Sequence, residues 1–315
     1  MIKRIKYIIL MLLLVIPSYV SAYSDYVIAS GENIGIKIKS NGIIIAGRYD
    51  DTNIELKKGD IIVSINNNSN IDLNDFTDIV SNNSSDTIEI GYIRDGKYKK
   101  TKLIVKDGKT GLYLKDSIAG IGTLTFIDPN SKIYGALGHE IIDSSSGNII
   151  NNKSGNIFDS KVIEIRKGES GNPGEKNASI ENDNKLGDID TNTNKGLFGD
   201  YTKTIPSRNL YKVGTIDNIK LGKAYMLTEL ENNEVKKYEI EITKIINKSS
   251  TKNIIFKVVD ERLKETGIVQ GMSGSPIIQD EYIVGAVTHV VVDNPYKGYG
   301  ILITNMLEEA EKKDE

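Results

Sequence analysis

Apolar residues in this chain recur mainly at every second position, in short runs separated by Gly, Asn, Asp and Ser. In the first third the runs cover Ile34 to Ile38, Gly42 to Ala46, Asp60 to Ile65, Thr87 to Ile93 and Lys99 to Val105. Alternation of this kind predicts half-buried β-strands, because successive side chains point to opposite faces of a sheet. One stretch breaks the rhythm: Leu73, Phe76, Ile79 and Val80 follow a helical spacing behind Asp72, whose carboxylate suits an N-cap. The Asp95-Gly96 pair between Arg94 and Lys97 predicts a tight hairpin turn, since both residues tolerate positive φ. Strands around one short helix make a compact module of about 75 residues.

Beyond Gly108 the period-two pattern dominates. Gly111 to Leu114, Gly122 to Ile127, Ile133 to Leu137, Lys161 to Arg166, Lys223 to Leu230, Tyr238 to Ile246, Ile254 to Val259 and Tyr282 to Val292 all read as strands. Spaced short strands with few helical periods over about 200 residues predict a sandwich or a pair of barrels. Lys167 to Gly196 is poor in apolar residues and reads as a long surface loop or flap. Met306 to Glu315 reads as a short polar helix or a frayed tail.

The start of the chain is of another kind. Lys3, Arg4 and Lys6 precede an apolar run from Ile8 to Ile16, the breaker Pro17, and Val20-Ser21-Ala22 with small residues placed for cleavage. The run is too short to span a bilayer comfortably. Residues 1–22 are therefore expected to be a signal peptide or signal anchor that directs export across the cell membrane. Without them, 37 basic side chains face 43 acidic ones, a mildly acidic balance that gives no reason to concentrate polyanions. Nucleic acid is a poor candidate partner.

Composition narrows the chemistry further. The 315 residues include no Cys and two His, His139 and His289. There can be no disulfide framework, no thiolate metal site and no cysteine nucleophile. The histidine spacing excludes a His-Glu-x-x-His helix, and no metal or cofactor is expected. Gly108-Lys109-Thr110 has the look of a phosphate loop, but the required earlier glycine position holds Leu103, so a plain turn is expected.

The sharpest local feature is Gly271-Met272-Ser273-Gly274-Ser275-Pro276, followed by a short apolar run, a polar turn and a longer strand. Glycines around a serine let the backbone turn tightly, so the Ser273 hydroxyl can project while nearby N–H groups point into the same space. A serine nucleophile needs a base. His139, in Gly135-Ala136-Leu137-Gly138-His139, has small residues before it that leave its ring room to face a cleft. His289 lies in the strand after the serine loop; the resemblance of that loop to the one in chymotrypsin-like proteases implies that Thr288, His289 and Val290 run alongside the substrate backbone, with a core position as the other reading of His289. An acid to orient the imidazole could be Asp260, or Asp159, Asp183, Asp188 or Asp190 between the histidine and the serine.

Three resemblances add to this reading. Residues 56–67, Leu-Lys-Lys-Gly-Asp-Ile-Ile-Val-Ser-Ile-Asn-Asn, resemble the signature of a PDZ domain, with Asn67 where that family usually has Gly. The resemblance implies a peptide-binding loop near Asn33, Ile34, Gly35 and Ile36, with a ligand peptide added to the sheet edge. The serine loop resembles that of chymotrypsin-like proteases, which implies Ser273 as nucleophile and the Gly271 and Ser273 N–H groups as oxyanion hole. More extensive are Gly111 to Phe126, Tyr134 to His139, Gly267 to Gln270 and Gly285 to Val290, which together resemble the stage IV sporulation protein B family of signalling serine peptidases.

That family implies a mainly β chain of signal segment (1–22), PDZ domain (30–106) and chymotrypsin-like β-barrel peptidase domain (110–310), with a triad at His139, Asp260 and Ser273. It further implies release into the space between forespore and mother-cell membranes and self-cleavage. The substrate would be stage IV sporulation protein FA, a membrane-bound regulator of an intramembrane protease, cut so that the late mother-cell sigma factor matures. Two other readings compete with it. One is an envelope quality-control protease of the high-temperature-requirement type, which carries its PDZ domain after the peptidase. The other is a non-catalytic PDZ scaffold.

Overall fold

The computed structural model describes residues 23–312 apart from 145, 146, 148, 151, 208 and 250. The expected signal segment lies outside the described residues. In chain order the strands are β1 (Tyr26–Ala29), β2 (Asn33–Arg48), β3 (Ile61–Ile65), β4 (Asn68–Ser69), β5 (Thr87–Arg94), β6 (Lys97–Ile104), β7 (Leu112–Ile127), β8 (Ile133–Ala136), β9 (Asn152–Arg166), β10 (Glu175–Asp188), β11 (Thr191–Thr193) and β12 (Gly196–Asp200). They continue with β13 (Leu210–Val213), β14 (Gly222–Glu229), β15 (Val235–Ile245), β16 (Ile254–Val258), β17 (Pro276–Gln279), β18 (Tyr282–Val291) and β19 (Asn294–Leu302). The helices are α1 (Leu73–Ser81), α2 (Glu261–Thr266) and α3 (Ile303–Glu311).

The chain is mainly β, a PDZ-type module followed by a chymotrypsin-like double barrel. In the small module, β3 pairs with β5, β5 with β6, and the second half of β2 with β3 and with the start of β7. Helix α1 starts as its sequence dictates. Asp72 accepts from the Asp75 N–H and Asp75 returns a bond to the Asp72 N–H, a reciprocal cap that satisfies two otherwise orphaned donors. Phe76 and Val80 then seal a core with Ile43, Ile62, Ile65, Ile90 and Leu103. The turn between β5 and β6 has Asp95 at φ 52° and Gly96 at φ 71°, as its sequence requires. Asn67 stands at φ 65°, a conformation that asparagine tolerates in place of glycine.

The second barrel closes on itself: β14, β15, β16, β19, β18 and β17 pair in a ring that returns to β14. Met226, Ile240, Phe256, Ile277 and Val284 fill it. The first barrel runs β12, β8, β7, β2, β9, β10. A bridge from Gly187 to Tyr201 joins its ends. Helix α3 buries Met306, Leu307 and Ala310 against Phe126 and Phe198, so the described part of the segment expected as a polar helix or tail is amphipathic and packed.

Two expectations are corrected by the strand pairing. Lys167 to Gly196 is no flap: β10 forms a long antiparallel hairpin with β9. Backbone hydrogen bonds make this strand whatever its side chains, and register shifts at Asn177/Ala178 and Ile180/Lys185 break the alternation that would have betrayed it. The second correction concerns Asn33, Ile34, Gly35 and Ile36. These residues do not form a PDZ loop but begin β2 inside the first barrel, paired on one side with β7 and on the other, from Ile34 onward, with β9. With Asn33, Ile34 and Ile36 buried and both edges taken, no peptide can add there. Gly35 is small for a packing reason: a Cβ would lie 2.6 Å from the Ile180 side chain of β10. The module therefore begins within β2, after Ser40, and β2 and β7 each serve both domains.

Candidate active site

The serine loop is fixed by strain and by bonds from the other barrel. Gly271 and Gly274 both have φ 95°. A Cβ on Gly274 would sit 2.1 Å from the Thr123 carbonyl oxygen, so only glycine fits. Thr123 N–H donates to Ser273 O (3.0 Å), Thr123 Oγ1 to Gly271 O (2.8 Å) and Thr125 Oγ1 to Gly274 O (2.7 Å). These threonines are two apart on β7 and face the loop together. Gly274 N–H donates to Val287 O, Ser275 N–H to Met272 O and Met272 N–H to Val269 O. The N–H groups of Gly271 and Ser273 have no hydrogen-bond partner among the described residues.

His139 follows β8 through a γ-turn at Leu137, where Gly138 N–H donates to Ala136 O (2.8 Å). Leu137 stands at φ 68°, a strained value for a branched side chain, and Gly138 at φ 70°. Leu137 N–H reaches the same Thr123 carbonyl (3.3 Å) that backs the serine loop. Thr123 thus touches both halves of the site. The imidazole Nδ1 is 2.7 Å from Glu140 O, and because a carbonyl can only accept, Nδ1 carries the hydrogen and Nε2 is left as the basic nitrogen. Burial holds the His139 pKa below its usual 6.5, partly offset by Glu140.

His139, Gln270, Gly271 and Ser273 line one cleft of about 430 Å³. In this resting arrangement the Ser273 hydroxyl donates to Thr288 O (2.7 Å) rather than to the histidine. The His289 ring, exposed on its outer side, meets His139 at a centroid distance of 5.1 Å and a tilt of 39°. Partial burial, then His139 and Lys252, push its pKa down to about 4. Val290 pairs with Gly298 of β19, while Thr288 is buried with its carbonyl turned to the serine. Ser275 is fully buried and away from the cleft lining.

Asp260 is not brought to this cleft. It caps α2, accepting from the Arg262 N–H (3.0 Å), Arg262 Nη2 (2.6 Å) and the Glu239 N–H (3.4 Å). The Arg262 guanidinium holds its pKa below the usual carboxylate range. Among the aspartates weighed from sequence, Asp159 instead accepts from Asn184 and Asp188 pairs with Lys185. Among the described residues no group of three or more His, Asp or Glu could hold a metal ion, and no helix is long and apolar enough to cross a membrane.

A family model described as SpoIVB peptidase S55 matches residues 106–307, about two thirds of the chain. The chain belongs to this family and is a serine peptidase. A search of curated proteins gives no match. Among solved structures, the PDZ domain of the SdrC-like protein from Listeria monocytogenes is 24% identical, covering 25% of this chain and 93% of that one, with a TM-score of 0.23. The Rv3671c protease from M. tuberculosis in its active form is 13% identical, covering 62% of this chain and 74% of that one, with a TM-score of 0.37. Its inactive form is 11% identical over 62% and 85%, with a TM-score of 0.35.

In this S55 peptidase side chains of β11 and β7 reach the described part of the segment after His139. Asn192 of β11 accepts from Ile141 N–H (2.8 Å) and donates to Ile141 O (2.9 Å) and Ile150 O (3.1 Å). Lys115 of β7 pairs with the buried Asp143 (2.7 Å). Asp143, Ile149 and Ile150 also line a cavity of about 510 Å³ against Ile44, Ile61 and Val63 of the small module. Sequence reasoning missed Thr123, Thr125 and Asn192. The period-two spacing of the two threonines carried a signal, but nothing local to Asn192 did.

Proposed function

We propose that this S55 peptidase is an endopeptidase working through an acyl-enzyme on Ser273, with His139 as its base. One observation carries the reading. The glycine-flanked serine and one of two histidines come from different barrels to a single cleft, beside N–H groups of Gly271 and Ser273 that no backbone carbonyl takes. Rotation about Cα–Cβ turns the Ser273 hydroxyl from Thr288 O toward His139. Oγ attacks the scissile carbonyl carbon as its proton passes to Nε2, and the two N–H groups hold the oxyanion. His139 then gives the proton to the departing amine, and water repeats the sequence to release the acid. Nδ1–H stays on Glu140 O throughout, which keeps the basic nitrogen toward the serine. In this reading Thr288, His289 and Val290 run alongside the substrate backbone.

The biological setting we propose is export across the cell membrane into the space between forespore and mother-cell membranes. There the enzyme would cleave itself and a membrane-bound regulator, stage IV sporulation protein FA, leading to maturation of the late mother-cell sigma factor. Family membership and the export-type start of the chain support this reading. The chemistry is tested by labelling the purified protein with a fluorophosphonate. Label is expected on wild type and Ser275→Ala, and none on Ser273→Ala or His139→Ala. Label persisting in Ser273→Ala would remove the assignment.

A further inference from the structure

Behind the serine loop lies a buried lysine that the chemistry above does not use. Lys176, near the start of β10, is 4% exposed. Its N–H donates to Gln270 O (2.9 Å) while Gln270 N–H donates to Gly174 O (2.8 Å), a short parallel ladder just before Gly271. Its stem then passes behind Gly271: a Cβ there would lie 3.1 Å from Lys176 Cβ and 3.4 Å from Cγ and Cδ. Its ammonium donates to Thr228 Oγ1 (3.1 Å) on β14 of the second barrel. The neighbouring Glu229, also buried, attracts it and accepts from the Asn33 N–H (3.2 Å) of β2 in the first barrel.

We propose that Lys176 is a positioning residue for the oxyanion loop, its stem forming the back wall of Gly271 and its ammonium tying that wall to both barrels through Thr228 and Glu229. The proposal rests on reading Ser273 as the nucleophile. A space-filling role would be met by methionine, of similar length, without the desolvation that a buried ammonium costs. That cost is visible: burial pushes the Lys176 pKa down to about 8, with Glu229 acting against the shift. Burial likewise raises the Glu229 pKa, and beyond Glu229 stand the charges of Glu32 and Asp159. The ammonium therefore begins to discharge within an accessible pH range. Once neutral, it loses its attraction to Glu229 and the loop loses a tether.

The test compares wild type with Lys176→Met in the full chain by two measurements. The first is hydrogen exchange of the peptide spanning Val269 to Ser275, which needs no activity. Exchange is expected to rise at least about tenfold in the variant while β15 stays protected. The second is saturable fluorophosphonate labelling between pH 6 and 9.5. The maximal rate should fall about tenfold at pH 7 with the half-saturating concentration unchanged. The wild-type rate should also fall above pH about 8, where the variant is flat. Unchanged loop exchange would overturn the proposal and leave Lys176 a structural residue, as would an unchanged maximal rate beside a lowered melting temperature. If wild type takes no label at any pH, the reading of Ser273 fails, and the exchange measurement still decides Lys176.

Discussion

The two halves of the proposed catalytic cleft are held in different ways. The serine loop is fixed by backbone hydrogen bonds, two threonine hydroxyls and strain: Gly274 has no room for a Cβ, and Thr123, Thr125, Lys176 and Val287 grip the loop from three strands. The segment behind His139 hangs from β8 by a strained turn at Leu137, and among the described residues Asn192 binds Ile141 and Ile150 while Lys115 pairs with Asp143. The segment behind His139 also lines a cavity with the small module.

The contrast can be broken most severely at Gly274. In Gly274→Ala the new methyl must displace Thr123, which serves both halves, so labelling should be abolished and stability should fall by roughly 3 kcal/mol or more; denaturant unfolding and labelling together check this. Asn192→Ala tests the other half. Three backbone partners lose their bonds, at about 1–3 kcal/mol, and labelling should slow about tenfold rather than vanish, because the serine loop is untouched. Exchange protection of Val269 to Ser275 should stay at the wild-type level in that variant. The smallest effect needs no mutation. Burial disfavours the His139 imidazolium, so the neutral base persists to lower pH, and the rising limb of labelling should reach its half-maximum below pH 6.5. The same sign makes the folded state bind fewer protons than the unfolded one, so this group withdraws stability as pH falls below 6.5.

What could be read from the sequence follows the same division. Ser273 and its glycines stand in one contiguous stretch, so their conformational demand is written locally. His139 was found because only two imidazoles exist and small residues precede one of them. Helix α1, with its Asp72 cap, and the Asp95-Gly96 turn were equally local, and both formed as expected. The polar β9–β10 hairpin was not legible, because its strands are defined by backbone pairing and interrupted by bulges. Nor was the place of Asn33 to Ile36. A strand buried between two neighbours and a strand offering an edge to a peptide have the same alternation, and only long-range pairing separates them. Asp260, which the family resemblance implied as the acid, lies outside the His139 cleft, where Arg262, two residues on, claims its carboxylate.

The sharing of β2 and β7 between the two domains bears on how this enzyme can be taken apart. A family match beginning at residue 106 invites removal of everything before it to isolate a peptidase. Such a cut would strip out β2, leaving β7 and β9 facing each other across a missing strand, with two unpaired edges open to aggregation. The small module is thus an insertion between two neighbouring strands of the first barrel, and the barrel needs the part of β2 that precedes it.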